Sequence, residues 1–503
     1  MENAEYRIRT ELGLADTGYR QTSDHPIYGT GQGSANSPAI WCFLSSSLFD
    51  GYDEIASLAQ YQSPDIGTTA NLGLVGFVDD CNGQTHQFSS DGSEQTLYNV
   101  LHQAQINAQH WSDLLHASGG SLELSKCSCH VLHWLFSAQG APVLAPKTVA
   151  HQECLKVIDR ATGTDQTLAL LSPYQAHKTL GHYKDPAGTQ NEQYRRLKTK
   201  SDDITSFLWR CPLTRLEAWT FYYACYLPSV GYPLSCSSLS YKRLDQVQRR
   251  AMSIIVPRCG FNRNTKKEIL YGPLELGGAS FRHLYVQQGI GQVGLFMRNW
   301  RLKSMAGKLL RIAVGWFQLQ VGMSYPFLEN VSTPLPHLES KWLSSLRDFL
   351  ASIDCSLHID DTAIPELQRH HDSHIMDSIL ASRAFTAAEI RRLNYCRLYL
   401  QAQTLSDLVT LGGRSLDKAK LVGNPSLMSS TSHGVQINQS SPSDVDWKLW
   451  RRANTLWSTP GGHLRQPLGP WLLHIKRQRQ RHAAYWANFV LWVRIGEHLR
   501  VIP

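Results

Sequence analysis

The chain has 503 residues, of which 42% are hydrophobic, and it carries a formal net charge of +8 with a pI near 8.9. This length exceeds what one hydrophobic core usually serves, so we expect two to four domains. The moderate cationic excess permits acidic partners such as nucleic acid without requiring one. Among the 11 cysteines only Cys127 and Cys129 lie close together, which excludes a zinc site of the CxxC type and favours a reducing compartment.

Targeting and membrane-spanning segments are not evident in the sequence. The first residues, MENAEYRIRTELG, are charged rather than apolar, so they do not resemble a signal peptide. No run of about 18 apolar residues is present that could span a bilayer. We therefore expect an intracellular chain without a membrane partner, in either the nucleus or the cytoplasm.

The predicted elements change from mixed structure in the first third of the chain to helices in the remainder. Helical spacing of apolar residues and turn-forming glycines and prolines define them. In chain order, we predict a helix within 1–20, a glycine-rich loop at 28–38, a helix over 39–61 with Pro38 in its first turn, a β-hairpin at 72–88, a helix at 94–117, a turn with two short strands at 119–136, and mostly helices from 190 onwards, including 244–256, 281–314 and 338–411.

Two adjacent aspartates, Asp79 and Asp80, follow the apolar strand of the predicted hairpin and precede Asn82-Gly83, a strong turn signal. Adjacent acids in a turn are common, and most of them are structural. At the end of an apolar strand, however, two carboxylates can hold a divalent cation for in-line phosphoryl transfer, and the cation removes their repulsion. Mg²⁺ is the natural candidate because it prefers oxygen ligands and bridges to phosphates.

The ordered motifs around these aspartates resemble those of the reverse transcriptases, and within them those of non-LTR retrotransposons. FVDD at 77–80 is similar to the palm signature of an aromatic residue, a variable residue and two aspartates. GTGQGSANSP at 29–38 resembles the preceding motif, LELSKC at 122–127 a later motif, and LGHYKD at 180–185 the element that positions the primer end. Each motif is weak alone, but their order and spacing favour descent from a reverse transcriptase, over about residues 28–300.

The resemblance implies a role for each motif residue. Asp79 and Asp80 would be catalytic and would bind Mg²⁺, and Lys126 would serve the leaving pyrophosphate. Two metal ions would activate the 3′-hydroxyl of the primer and stabilise the pyrophosphate. The implied partners are an RNA template, a DNA primer and deoxynucleotides. The residues implied to bind the nucleotide and template are Gly31, Gln32, Gly33, Ser34, Pro38 and Phe77, and those implied to position the primer are Leu180 and Gly181.

The implied fold class is α+β, with a partial polymerase palm, an antiparallel sheet with helices, followed by mainly α-helical thumb and C-terminal regions. The amphipathic pattern, the Ser-rich stretch and the tryptophan-rich tail set the predicted boundaries. These regions are the partial palm at 1–190, a helical thumb-like region at 191–320, a helical region of unknown role at 321–420, a Ser-rich linker at 421–446, and a Trp-rich basic segment at 447–503.

Reverse transcriptases take a further metal-binding aspartate from an earlier palm strand, and the sequence before Gly29 offers no recognisable match. Its acids lie in predicted helical or turn context rather than at the end of an apolar strand; they are Glu2, Glu5, Glu11, Asp16 and Asp24. EYRIRTELG instead resembles the stretch that follows the missing strand. We therefore expect an N-terminally truncated element that does not polymerise as given.

Two alternatives to an active polymerase stay open. The first is a non-catalytic nucleic-acid-binding remnant of a transposable element, which would use the basic tail and the basic thumb, whose helix carries Lys242, Arg243, Arg249 and Arg250. The second is a decayed reading frame whose product has no stable function. Primer extension separates the polymerase from the remnant, because the remnant would bind a duplex without extending it.

Two further patterns are more simply explained as surface helices. HHDSH at 370–374 has histidines at helical spacing but no additional ligand, so a solvated helix face is favoured over a metal site. The basic run at 476–482, KRQRQRH, is flanked by tryptophans and could grip phosphates and stack bases. A charged helix face with its tryptophans in a core is slightly favoured.

Overall fold

The computed structural model describes most of the chain. The described residues are 5–7, 9–10, 13–20, 37–64, 67–77, 80–85, 96–136, 142–145, 155–160, 162–338, 341–360, 364–422, 441–472, 491–495 and 498–502. The chain divides into two compact units: the first comprises Met1–Gln60, Asn71–His133 and Lys147–Ser172, and the second Tyr61–Ala70, Trp134–Pro146 and Pro173–Pro503. Helices and small sheets are mixed, in agreement with the α+β class.

The described helices confirm the predicted change to helical structure after residue 190. Their bounds are α1 (Ser37–Ile55), α2 (Leu97–Ala117), α3 (Asn191–Arg210), α4 (Arg215–Phe221), α5 (Leu227–Gly231), α6 (Tyr241–Arg258), α7 (Lys267–Tyr271), α8 (Leu284–Arg301), α9 (Met305–Val321), α10 (Lys341–Ser352), α11 (Ile375–Ser382), α12 (Ala387–Tyr399), α13 (Lys418–Val422) and α14 (Asp444–Asn454). None of the helices in the described part of the chain combines the length and hydropathy that crossing a membrane requires.

The strands are short and pair mostly as hairpins. Their bounds are β1 (Glu5–Tyr6), β2 (Arg9–Thr10), β3 (Gly13–Leu14), β4 (Tyr19–Arg20), β5 (Ala59–Gln62), β6 (Thr69–Leu72), β7 (Leu74–Phe77), β8 (Asp80–Gly83), β9 (Ser128–His130), β10 (Trp134–Phe136), β11 (Pro142–Leu144), β12 (Lys156–Asp159), β13 (Thr164–Thr167), β14 (Ala169–Leu171), β15 (His177–Thr179), β16 (His182–Lys184), β17 (Cys355–Ser356), β18 (Leu491–Ile495) and β19 (His498–Ile502). The pairs are β1–β4, β2–β3, β5–β6, β7–β8, β9–β14, β10–β11, β12–β13 and β15–β16, and β17–β18–β19 form a three-stranded sheet.

The helix predicted within residues 1–20 is wrong for the described residues. Glu5 pairs with Arg20 across the antiparallel strands β1 and β4. Two side-chain hydrogen bonds, at 2.7 and 3.0 Å, join the Arg20 guanidinium to one carboxylate oxygen of Glu5. Gly13 has a φ of +124°, a backbone conformation outside the right-handed helix. The described part of the segment therefore forms paired strands, and helical spacing alone did not predict this pairing.

The first unit has two small apolar cores. One core joins α1 and α2 through Leu48, Tyr52, Trp111 and Leu115. The other core joins α2 to the strands β12 and β9 and includes Leu101 and Val157. Helix α2 takes part in both, so it is the central element of the first unit.

The second unit has two larger apolar cores. The first of these cores packs α3 against α6 and buries Leu208, Leu244 and Val247. The core of the C-terminal region extends from Phe296 to Leu468, so it includes the tryptophans of α14 as well as α9 to α12. Capping boxes at Thr214 and Glu217, Thr386 and Glu389, and Ser443 and Asp446 begin α4, α12 and α14.

Candidate functional site

The hairpin that carries the double-aspartate motif is formed by β7 and β8. Its antiparallel register places Leu74 opposite Gly83, and Phe77 opposite Asp80 at the end of the ladder. Asp80 therefore begins the returning strand, one residue after Asp79, which lies outside the described residues. Phe77 and Asp80, an aromatic residue and an acid of the sequence motif, are thus cross-strand neighbours.

The predicted turn at Asn82-Gly83 is wrong, because Asn82 lies inside β8 opposite Val75. The physical reason is the packing of Gly76 and Cys81, which face each other and lie against α1. A Cβ added at Gly76 would come within 2.4 Å of the Phe49 ring. This close approach determines which face of the hairpin points inward. Packing against α1 therefore outweighs the turn preference of Asn82-Gly83.

The outer face of the hairpin combines apolar and acidic side chains. Val75 is 47% exposed and Phe77 58% exposed, and Asp80 is exposed as well. Within the described part of the chain, the Asp80 carboxylate makes no hydrogen bond or ion pair. An exposed carboxylate without a protein cation beside it retains its oxygen atoms for an external ligand.

A buried amide connects the base of the hairpin to α2. Asn107 donates hydrogen bonds to the Ser57 carbonyl (2.9 Å) and to the Thr85 hydroxyl (3.0 Å), and it accepts one from the Ser57 backbone N–H (3.1 Å). Thr85 lies two residues after the end of β8, so Asn107 anchors the chain that leaves the returning strand. A buried amide that is satisfied in this way specifies one geometry, because each lost partner would be left unpaired.

Lys126 lies in a one-turn 3-10 segment, Leu124–Lys126, that presents its side chain to solvent. Leu124 is buried in the apolar core that includes Leu101, and Leu122 packs against the cluster that also receives Leu74 and Cys81. The 122–126 segment and the hairpin therefore rest on shared apolar contacts. Lys126 itself is free to reach an anionic ligand.

The other residues predicted for nucleotide and template binding are mostly not described. Gly31, Gln32, Gly33 and Ser34 lie outside the described residues. Pro38 is the second residue of α1 and is exposed, as its predicted place in the first turn requires. Within the described residues, no three His, Cys, Asp or Glu side chains come together as a metal centre would need.

Leu180 and Gly181, the residues predicted to position the primer, form the two-residue connection between β15 and β16 in the second unit. Leu180 has a φ of 50° and Gly181 a φ of 80°, the positive pair that a tight type I′ hairpin turn requires. A leucine in this conformation is uncommon and strained. Leu180 is 39% exposed, so the turn displays an apolar side chain at its tip.

Buried contacts fix this second hairpin against the helices of its unit. The ring Nε2 of His182 lies 3.2 Å from the Ser237 hydroxyl, and the Tyr183 backbone N–H donates to Gln193 of α3 at 2.7 Å. Burial, reinforced by the nearby positive charge of Lys184, lowers the pKa of His182 to about 4. The histidine is therefore neutral at physiological pH.

The basic side chains predicted for the thumb helix lie on α6, but several already have acidic partners. Arg249 pairs with Asp245 at 2.6 Å, and Arg250 lies 3.5 Å from Asp202 on α3. Arg243 lies over the ring of Tyr194, 5.3 Å from its centroid. These interactions reduce the positive charge that the helix can offer to phosphates.

The histidines at 370–374 do not lie on the predicted helix face, because they form a turn that precedes α11, and their environments differ. His370 and His371 are exposed, whereas His374 is buried with its ring Nε2 2.8 Å from the Pro365 carbonyl. The basic run at 476–482 lies outside the described residues. Trp471, which precedes it, is 52% exposed, and the Arg369 guanidinium lies 4.8 Å from its ring centroid.

Comparison with known proteins adds no family to these observations. No protein-family model matches the sequence, and no curated protein matches it either. The resemblance to reverse transcriptases therefore rests on the order and spacing of the sequence motifs. Sequence reasoning also missed two features, the strained turn at Leu180 and the exposed Trp209. The turn had a signal in the sequence, because glycine is common in such hairpin turns and Leu180-Gly181 lies at the centre of HKTLGHYK.

Proposed function

We propose that the chain is related to the RNA-directed DNA polymerase of a non-LTR retrotransposon, with a double-aspartate turn that contributes to nucleotidyl transfer. The observation that carries the proposal is the end of the β7–β8 hairpin, where the exposed Asp80 begins the returning strand opposite the exposed Phe77. The next acid, Asp79, is adjacent in sequence. An exposed carboxylate at a hairpin end, with an aromatic ring across the strand and a second acid next to it in the sequence, supports a metal-assisted nucleotide site.

The donor set fits Mg²⁺, which Asp79 and Asp80 would hold. The Asp80 carboxylate is exposed and has no cationic partner in the described part of the chain, so it is not neutralised by the protein. Bound Mg²⁺ would supply activation of the primer hydroxyl and neutralisation of phosphate charge. Lys126, exposed at the end of its short turn, would interact with the anionic leaving group.

The second unit would contribute nucleic-acid contacts. The turn at Leu180 and Gly181 is anchored by the buried His182, whose ring lies 3.2 Å from the Ser237 hydroxyl. An anchored turn with an exposed apolar side chain suits the sugar face of a primer end. Helix α6 would contact phosphates through arginines that exchange their acidic partners for the nucleic acid, so this binding should weaken as salt rises.

The test is metal-dependent assembly with a labelled DNA primer annealed to an RNA template and a matching deoxynucleotide. We expect Mg²⁺ to strengthen the complex with the 503-residue chain at least threefold, and we expect Asp79→Asn and Asp80→Asn to remove that increment. Asp165→Asn changes an exposed acid on β13 of the same unit and is the matched control. Equal Mg²⁺ dependence in all four proteins would overturn the assignment of the two acids.

A non-catalytic nucleic-acid-binding protein is the second candidate, and the cationic side chains of α6 favour it. It predicts salt-sensitive duplex binding that neither Mg²⁺ nor Asp80→Asn changes. Scoring the same mixtures for primer extension separates the two candidates further. Template-dependent extension that is lost in Asp79→Asn would assign polymerase chemistry to this chain, whereas binding alone is the result expected of the remnant.

A further inference from the structure

The C-terminal ends of α3 and α6 border an open cavity of about 260 Å³ that none of the predicted roles uses. We call this site the Trp209 patch. It is lined by Trp209, Ser253, Ile254, Pro257, Arg258 and Arg263. All of these residues belong to the second unit. The patch therefore combines a large aromatic ring, apolar atoms and two guanidinium groups in one open depression.

Trp209 is unusual because it is a large aromatic residue that is 66% exposed. Its neighbour Leu208 is buried in the core between α3 and α6, so the helix fixes the direction of the exposed ring. Arg258 donates hydrogen bonds to the Trp209 carbonyl (3.1 Å) and to the Cys211 carbonyl. These bonds satisfy carbonyls at the end of α3 and hold the backbone beneath the ring in place.

The surroundings of the cavity are positively charged. Residues 204–216 and 246–267 contain eight Lys and Arg, and three of these, Arg249, Arg250 and Lys267, pair with Asp245 or Asp202 just outside the two stretches. Arg210, Arg215 and Arg263 are exposed, and among the described residues none of the three has a hydrogen bond or ion pair through its guanidinium. In contrast to Arg249, these arginines do not have to release an acidic partner before they meet a phosphate.

We propose that the Trp209 patch binds an unpaired nucleobase of single-stranded nucleic acid. Trp209 stacks on the base, and Arg263 contacts an adjacent phosphate. Exposed aromatic rings within basic grooves bind single strands because every base has a π-face and the backbone is anionic. The proposal goes beyond the proposed function, because it requires neither the double-aspartate turn nor a duplex.

The experiment measures the affinity of the full chain for a labelled 12-nucleotide oligo-uridine and for an abasic oligonucleotide of equal length and charge. We expect Trp209→Ala to weaken oligo-uridine binding at least fivefold and to leave abasic binding nearly unchanged. Phe207→Ala is the matched control, since Phe207 is 59% exposed on the same helix and does not line the cavity. Trp209→Phe, which keeps an aromatic face, should recover most of the affinity.

Arg263→Gln sharpens the test. It should weaken both oligonucleotides and reduce the salt dependence of binding, because one phosphate contact is lost. Unchanged oligo-uridine affinity in Trp209→Ala would overturn the proposal. An equal loss for the base-containing and abasic strands would overturn it as well, since it would show that the ring does not stack. Loss of self-association in Trp209→Ala, with nucleic-acid affinity intact, would assign the patch to a protein contact and contradict the proposal.

Discussion

The hairpin of the first unit and the C-terminal helices of the second unit hold their key side chains by different means. The β7–β8 hairpin rests on a small cluster around Tyr52 and Trp111 and on the close approach of Gly76 to Phe49. The C-terminal region buries polar groups such as Arg397 and His337 inside or beside a large apolar core. The hairpin can therefore display unpaired groups to a ligand, whereas the C-terminal region satisfies its polar groups internally.

Arg397 is the most demanding of these internal groups. It is fully buried, and it donates to the Leu319 carbonyl at 2.9 Å and to the Asn394 side chain at 2.8 Å. Its other acceptors are the Gln320 and Ala402 carbonyls and the Gln403 side chain. Burial lowers the pKa of Arg397 to about 9. The guanidinium therefore acts as a cross-link between α9 and α12, with neutral acceptors in place of a direct carboxylate partner.

Replacing Arg397 should give the largest loss of stability. Arg397→Met leaves several buried acceptors unpaired, so we expect the free energy of unfolding to fall by about 3 kcal/mol. Arg391→Met is the matched control, because Arg391 is an exposed residue of the same helix, and it should change stability by less than about 1 kcal/mol. Denaturant unfolding followed by circular dichroism measures both. Equal stability of the two variants would contradict the cross-link.

The pH dependence of stability should reflect His337. Burial lowers the pKa of His337 to about 4, below the ordinary value near 6.5. The unfolded chain therefore binds a proton first, so the stabilisation is complete above pH 6.5 and is lost as the pH falls towards 4. The stabilisation that is lost over this pH range is about 3 kcal/mol. Unfolding of His337→Gln, measured between pH 7 and 4, should show a flatter profile than that of the wild type.

The control for this profile is His371→Asn, which alters an exposed histidine and suits its positive φ of 67°. Its pH profile should follow that of the unaltered protein. If His337→Gln retained the full acid dependence, another group would be responsible.

Gly76→Ala tests how the hairpin is held. The added Cβ meets Phe49 at 2.4 Å, so the hairpin or α1 must shift, and we expect a loss of about 2 kcal/mol. Gly83→Ala is the milder control, because its Cβ would lie 3.3 Å from the end of the flexible Leu74 side chain. In thermal unfolding, we expect the melting temperature to be highest for the unaltered protein, lower for Gly83→Ala and lowest for Gly76→Ala. A Gly76→Ala variant as stable as the unaltered chain would show that the close approach does not position the hairpin.

The smallest expected effect is at Leu180, and it has the opposite sign. Asparagine adopts a positive φ more readily than leucine, so Leu180→Asn should stabilise the second unit by about 0.5–1 kcal/mol. If the exposed leucine serves the primer end, the same variant should also bind a primed template less well. Thr179→Asn, in the flanking strand, is the control. A destabilised Leu180→Asn would show that the leucine side chain, rather than the backbone, determines the turn.

The sequence predicted the helices better than the hairpin geometry. The apolar periodicity of 94–117 and 244–256 located α2 and the centre of α6, since each helix buries one continuous face. The Asn82-Gly83 signal misled because packing of Gly76 against a distant helix sets the register. Trp209 is exposed and Trp450 is buried, and this difference depends on which neighbours the fold places beside each ring. The number of tryptophans in the sequence does not distinguish the two environments.

The central claim is that Asp79 and Asp80 together hold a divalent cation, and the most direct measurement is cleavage of the chain by iron. Fe²⁺ can occupy a Mg²⁺ site, and with ascorbate and peroxide it cuts the backbone beside that site. This cleavage does not depend on polymerase activity. We predict cuts near residues 79–81 that excess Mg²⁺ suppresses and that Asp79→Asn or Asp80→Asn abolishes, whereas Asp165→Asn keeps them. Cleavage elsewhere, or at the hairpin with equal yield in all variants, would contradict the claim.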